Sequence, residues 1–159
     1  MAAKVIKKYN ASIRNLEYML RAFKDFLPDM LEDIIREKED VIVSAVANDQ
    51  LYCRGINGKN QKIMDYAPYT ARTIANKIKK HQPHTRVTLR DTGSFHENMF
   101  VVFEPDGFYI TSSDIKTDIL KKKYRPEIFR LTNENFNRLL KSHIKKELVK
   151  RTKQKLREK

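Results

Sequence analysis

A chain of 159 residues, 40% hydrophobic and 33% charged, has the size of one domain with a single core. Its one cysteine, Cys53, excludes an intramolecular disulfide and a cysteine-rich zinc site. No apolar run approaches the roughly 18 residues of a membrane span, and Met1 to Lys8 is basic without the apolar block of a signal peptide. A soluble, intracellular protein with no membrane association is expected.

The formal charge of +13 points to nucleic acid or an acidic partner, and its distribution sharpens this. Eight basic and eight acidic residues cancel over Met1 to Asp40. Leu51 to Arg90 holds nine basic residues against Asp65 alone, and Lys141 to Lys159 nine against Glu147 and Glu158. Asp91 to Leu140 lies near neutrality, so the positive charge brackets the middle of the chain.

In chain order, Val5, Ile6, Tyr9, Ile13, Leu16, Leu20, Phe23 and Leu27 recur at gaps that mark an amphipathic helix. Pro28 is poorly tolerated in a helix interior, so a break is expected there. Asp29, Glu32 and Asp33 suit the first turn of a second helix, with Met30, Leu31, Ile34, Ile35, Ile42, Ala45 and Val46 as its apolar face. Val41–Val43 also fits a strand, but the continuing period favours helix. Gly55, Asn57, Gly58, Asn60 and Pro68 then read as loop.

Thr70 is placed to cap a short helix over Ala71–Lys80, with Ile74 and Ile78 as its apolar points. The stretch from Val87 to Thr111 is the only convincing β sequence. It begins with Val87–Arg90, and Met99, Val101 and Phe103 alternate with Phe108 and Ile110 about the turn Pro105-Asp106-Gly107. A helix over Asp114–Lys122 is expected to turn Ile115, Ile119 and Leu120 inward. Thr132 is placed to cap a last helix with Phe136, Leu139, Leu140, Ile144 and Leu148 inside, fraying beyond Val149. The fold class predicted is α+β: long N-terminal helices, a small antiparallel sheet around residues 87–111, and a C-terminal helix packed on it. Its divisions are an N-terminal helical extension (1–28), an α+β core domain (29–150) and a basic C-terminal tail (151–159).

Catalytic chemistry finds little footing. His81, His84 and His96 lack metal-ligand spacing and read as solvated or capping residues, and no cofactor or metal site is expected. Cys53 reads as a plain half-buried thiol. Gly55 to Lys59 lacks the Gly-Lys-Ser/Thr ending of a phosphate loop. Lysine and arginine on one face are all that sequence-independent phosphate binding requires. The candidates for contact with double-stranded DNA or an acidic partner are Lys77, Lys79, Lys80 and Arg86 in the middle block. In the last helix they are Lys145, Lys146, Lys150, Arg151 and Lys153. No helix-turn-helix, zinc-finger or aromatic RNA-stacking pattern accompanies them.

Arg90-Asp91-Thr92-Gly93-Ser94-Phe95, followed by the run Met99 to Phe103, resembles a segment of tailed-bacteriophage tail-completion and virion-morphogenesis proteins, which join head to tail. Pro126-Glu127-Ile128-Phe129-Arg130-Leu131-Thr132 and the helix after it resemble that family's second segment, Pro-x-x-Phe-x-Leu-Thr/Ser. Ala67–Thr70 and Arg86–Leu89 resemble what lies between its first long helix and its sheet. The likeness spans about residues 30 to 156. The chain departs from it at Tyr124–Ile128, where the family has Pro-Ala-Arg-Pro, and in its N-terminal helix.

The resemblance implies a non-enzymatic virion protein of the neck or tail-tube end. It would assemble as a homo-oligomeric ring with other neck or tail proteins, in the virion and in the host cytoplasm during assembly. Arg90, Asp91, Thr92, Gly93, Phe95, Pro126, Phe129, Leu131 and Thr132 would carry fold or assembly. A basic nucleic-acid-binding protein using Lys/Arg-rich helices is the alternative reading.

Overall fold

A computed structural model describes Arg21 and residues 24–157 of the chain. The apolar positions expected between Val5 and Leu20 lie outside the described residues. The fold is α+β, mostly helical, with one two-stranded antiparallel sheet among the described residues.

Helix α1 covers 24–37 and runs through Pro28 without the expected break. Pro28 and Lys24 are both exposed, so the Lys24 carbonyl that loses its helical donor faces water. Helix α2, Glu39–Ser44, follows and continues as a wide π-type turn over Ala45–Arg54, which settles Val41–Val43 as helix. Short helix α3, Ile63–Tyr66, interrupts the loop, and α4, Ala71–Lys79, starts at Thr70, whose hydroxyl accepts from the Thr73 amide at 3.2 Å.

Val87–Arg90 forms no strand. Val87, Thr88 and Leu89 are buried in irregular backbone, with Leu89 at φ +52°. Two amides of the run go to side chains instead: Thr88 N donates to the Tyr69 hydroxyl at 2.9 Å, and Arg90 N to the Thr88 hydroxyl at 3.3 Å. An apolar run therefore reached the core without a ladder partner. After α5, Ser94–Glu97, the sheet comprises β1, Met99–Glu104, and β2, Gly107–Ser112, with Pro105 and Asp106 between them. Its register pairs Met99 with Ser112 and Glu104 with Gly107.

Helix α6 covers Thr117–Tyr124 and α7 covers Asn133–Leu139, with a 3-10 turn over Pro126–Phe129 between them. The inward positions expected for α6 are corrected: Ile115 is 93% and Ile119 68% exposed, and only Leu120 packs on the core. Beyond α7 a π-type turn, Leu140–Ile144, leads into α8, Lys145–Arg157. The wide turn explains why Leu139 and Ile144, five apart, are both buried while Phe136 and Leu140 are largely exposed. Nor does the helix fray at Val149. Arg151 bonds Glu147 on its own helix and Glu37 of α1, tying the basic end down.

The core gathers Ile42, Val46, Leu51, Ile63, Val87, Met99, Val101, Ile110 and Ile128, among others. Burial of this area supplies the main driving force for folding. Glu39 fixes α2 against the sheet by accepting the Val101 amide at 2.7 Å.

Candidate functional site

Two residue groups far apart in the chain meet here. Arg90, Asp91, Thr92, Gly93 and Phe95 line one cavity of about 300 Å³, beside Lys77, Lys80 and Lys116. Pro126, Phe129 and Leu131 line a second, apolar groove along β2. Phe95 and Phe129 join the two, with ring centroids 5.6 Å apart. Thr132 caps α7 by accepting the Asn135 amide at 3.2 Å, and its own amide donates to Gln50 Oε1 at 2.8 Å.

Local chemistry explains the first segment. Gly93 has φ +109°, a left-handed conformation that glycine adopts freely, and it turns the chain into α5. Thr92 Oγ1 receives the Ser94 amide, and Asp91 pairs with Lys80 at 2.6 Å. The hydrogen bond from Lys80 holds the Asp91 carboxyl below the usual carboxylate range, with Lys116 and Lys77 adding to the effect. Asp114 is lowered chiefly by the Ser94 hydroxyl, which donates to it at 2.5 Å. A carboxylate so held stays ionised and accepts that hydrogen bond.

The second segment is clamped from outside. Gly58 N donates to the Glu127 carbonyl at 2.8 Å, Lys59 pairs with the Glu127 carboxylate at 2.5 Å, and the Tyr66 hydroxyl donates to the Tyr124 carbonyl at 2.9 Å. Gln50, fully buried, spans Arg130 and Thr132, and Asn135 donates to Gln50 Oε1 and to the Ala45 carbonyl, both at 3.1 Å. This buried polar node was not visible in the sequence, where Gln50 and Asn135 sit in ordinary polar context.

The basic candidates divide. Lys77 is 7% exposed, and its ammonium donates to the Arg90 carbonyl at 2.7 Å, Gln82 Oε1 at 3.2 Å and Thr88 Oγ1 at 3.4 Å. All three of its protons are engaged, so it is no phosphate contact. The expected faces are corrected: Lys77, three residues after Ile74, is buried, while Ile78, expected inside, is 52% exposed. Arg86 donates to the Tyr52 carbonyl at 2.8 Å, and Arg151 is shared by Glu37 and Glu147. Lys79, Lys145, Lys146, Lys150 and Lys153 remain exposed, as does Lys80 despite its pairing.

His96 corrects another expectation. It is buried rather than solvated, and neither ring nitrogen has a hydrogen-bond partner of good geometry. Burial, helped by Arg90 and Lys77 and opposed by the Thr88 backbone, lowers it to about 4. Cys53, expected half-buried, is exposed. Among the described residues no group of three or more His, Cys, Asp or Glu side chains could hold a metal, and no helix is long and apolar enough to cross a membrane.

Comparison with protein-family models, curated proteins and solved structures finds no match for this chain. What the two segments build is a packing junction flanked by a cavity lined by Lys77, Lys80, Arg90 and Lys116 with Asp91 and Asp114, and by an apolar groove.

Proposed function

We propose that this chain is a non-enzymatic structural protein of the tailed-phage neck or tail-tube end, acting as a homo-oligomeric ring. The observation that supports the reading is the contact between Phe95 and Phe129. It brings the two family-like segments together in one packing unit, as a shared assembly or fold role would require. A ring requires repeated head-to-tail contacts between unlike faces, and partly exposed apolar residues such as Tyr109, Phe136 and Val149 offer material for them. Light scattering and negative-stain microscopy of the purified protein test this. Closed rings, alone or with neighbouring neck proteins, are the expected result. A strict monomer with neither would overturn the reading.

The nucleic-acid reading is favoured by one observation: Lys145, Lys146, Lys150 and Lys153 are all exposed on a single helix, α8. Tight duplex binding by a monomer, with a steep fall in affinity as salt rises, would select it.

A further inference from the structure

We propose that the outer edge of β2 takes an extended acidic–apolar segment of a partner protein as an added strand. The register decides which backbone groups are free. Val101 N donates outward, to Glu39, so Val101 and its opposite residue Ile110 form a pair that does not bond across the sheet. The amide and carbonyl groups of Ile110, and by alternation of Phe108, thus point away from β1. No backbone or side-chain group among the described residues receives them. The two edges of the sheet differ accordingly among the described residues: the Val101 amide of β1 is taken by Glu39, and on β2 the Ser112 carbonyl accepts from Thr117 while Phe108 and Ile110, the latter 6% exposed at the floor of the groove, have no backbone partner. An open edge with unpaired groups is a template for another strand.

Beside that edge runs the groove, about 670 Å³, walled by Phe108, Ile110, Phe129, Leu131 and Phe136. Alternate apolar side chains of an incoming strand would enter it. Its charged lining consists of Lys121 and Arg130, with no carboxylate. That selects a segment whose other residues are acidic. A second copy is disfavoured, because β2 pairing with β2 across a twofold axis would bring the Lys121 and Arg130 pairs of both copies together, on chains of net charge +13. The inference stands on this edge alone, and its failure would leave the virion reading in place.

The test uses the full chain and a short fluorescein-labelled peptide alternating valine with glutamate, followed by anisotropy and amide hydrogen exchange. Saturable binding is expected, with slower exchange at Phe108 and Ile110. Replacing glutamate with lysine in the peptide should weaken binding by roughly tenfold, as should the double variant Lys121→Glu with Arg130→Glu. N-methylation of alternate peptide amides should abolish binding in one of its two phases. Absence of binding, equal affinity for both N-methylated peptides and the parent, or indifference to the lysine exchange would overturn the proposal. So would slow exchange at Phe108 and Ile110 in the free protein, whether from a second copy or from the chain itself. The peptide exchange needs no variant to fold.

Discussion

The ring of Phe95 lies against that of Phe129, with centroids 5.6 Å apart and planes inclined by 58°. Both rings are buried, and each belongs to a segment that departs from regular structure just beside it. The contact joins the turn into α5 to the 3-10 turn before α7. Phe129→Ala should therefore destabilise the protein by about 3–5 kcal/mol, read from chemical denaturation. A double-mutant cycle with Phe95→Leu should return a coupling of about 1 kcal/mol. Additive single effects would mean that the rings are neighbours without being partners.

At Gly93 two causes of strain can be separated. A Cβ there would approach Glu97 Oε1 to 2.7 Å, but that oxygen ends a flexible, exposed side chain, whereas φ +109° belongs to the backbone. Gly93→Ala should cost about 1–3 kcal/mol, and Gly93→Val more. Adding Glu97→Ala should recover little of the loss. Full recovery of the denaturation midpoint would assign the cost to the side chain instead.

Gly58 presents the opposite case. A Cβ there would run into the backbone and Cβ of Arg130, which cannot swing aside because Gln50 holds the Arg130 carbonyl at 2.9 Å. Gly58→Ala should destabilise by about 3 kcal/mol through forced displacement of the 126–132 segment. Faster hydrogen exchange at Thr132 and Asn135 would locate the damage, and unchanged exchange there would argue against the clamp.

Lys77 should behave as a structural residue. Lys77→Met leaves the Arg90 carbonyl without its donor and should lower stability by about 1–3 kcal/mol. If the chain binds duplex DNA, that variant should keep the wild-type dependence of log affinity on log salt. Paired replacement of the exposed Lys145 and Lys146 should reduce the slope by about 0.9 for each phosphate that these two lysines neutralise. A reduced slope in Lys77→Met would contradict the burial of that ammonium.

His96 gives stability a dependence on pH. Its folded-state value of about 4 lies below the ordinary 6.5, so between these the unfolded chain binds the proton and the folded chain does not. Stability is thus fully present above about pH 6.5 and falls as pH drops toward 4, by roughly 3 kcal/mol at most. Denaturation midpoints at pH 7 and 4.5 should converge in His96→Leu relative to wild type. An identical fall in both proteins would place the effect on the carboxylates.

The sequence by itself determined the local features: the hairpin about Pro105-Asp106-Gly107, the caps at Thr70 and Thr132, and helix over Val41–Val43. Each follows from neighbouring residues, through turn chemistry or hydrophobic period. Only the tertiary structure decided what depended on distant partners. Val87–Leu89 has strand composition but meets Tyr69 rather than another strand, so it stays irregular. Lys77 has the look of a surface cation but finds three acceptors around the 82–90 segment and is buried. Wide turns at Ala45–Arg54 and Leu140–Ile144 shift the helical period, so a regular count placed Phe136 and Leu140 inside and overlooked Gln50. The physical reason is common to all three. Burial and hydrogen-bond satisfaction are settled by groups tens of residues away, whose approach no local pattern records.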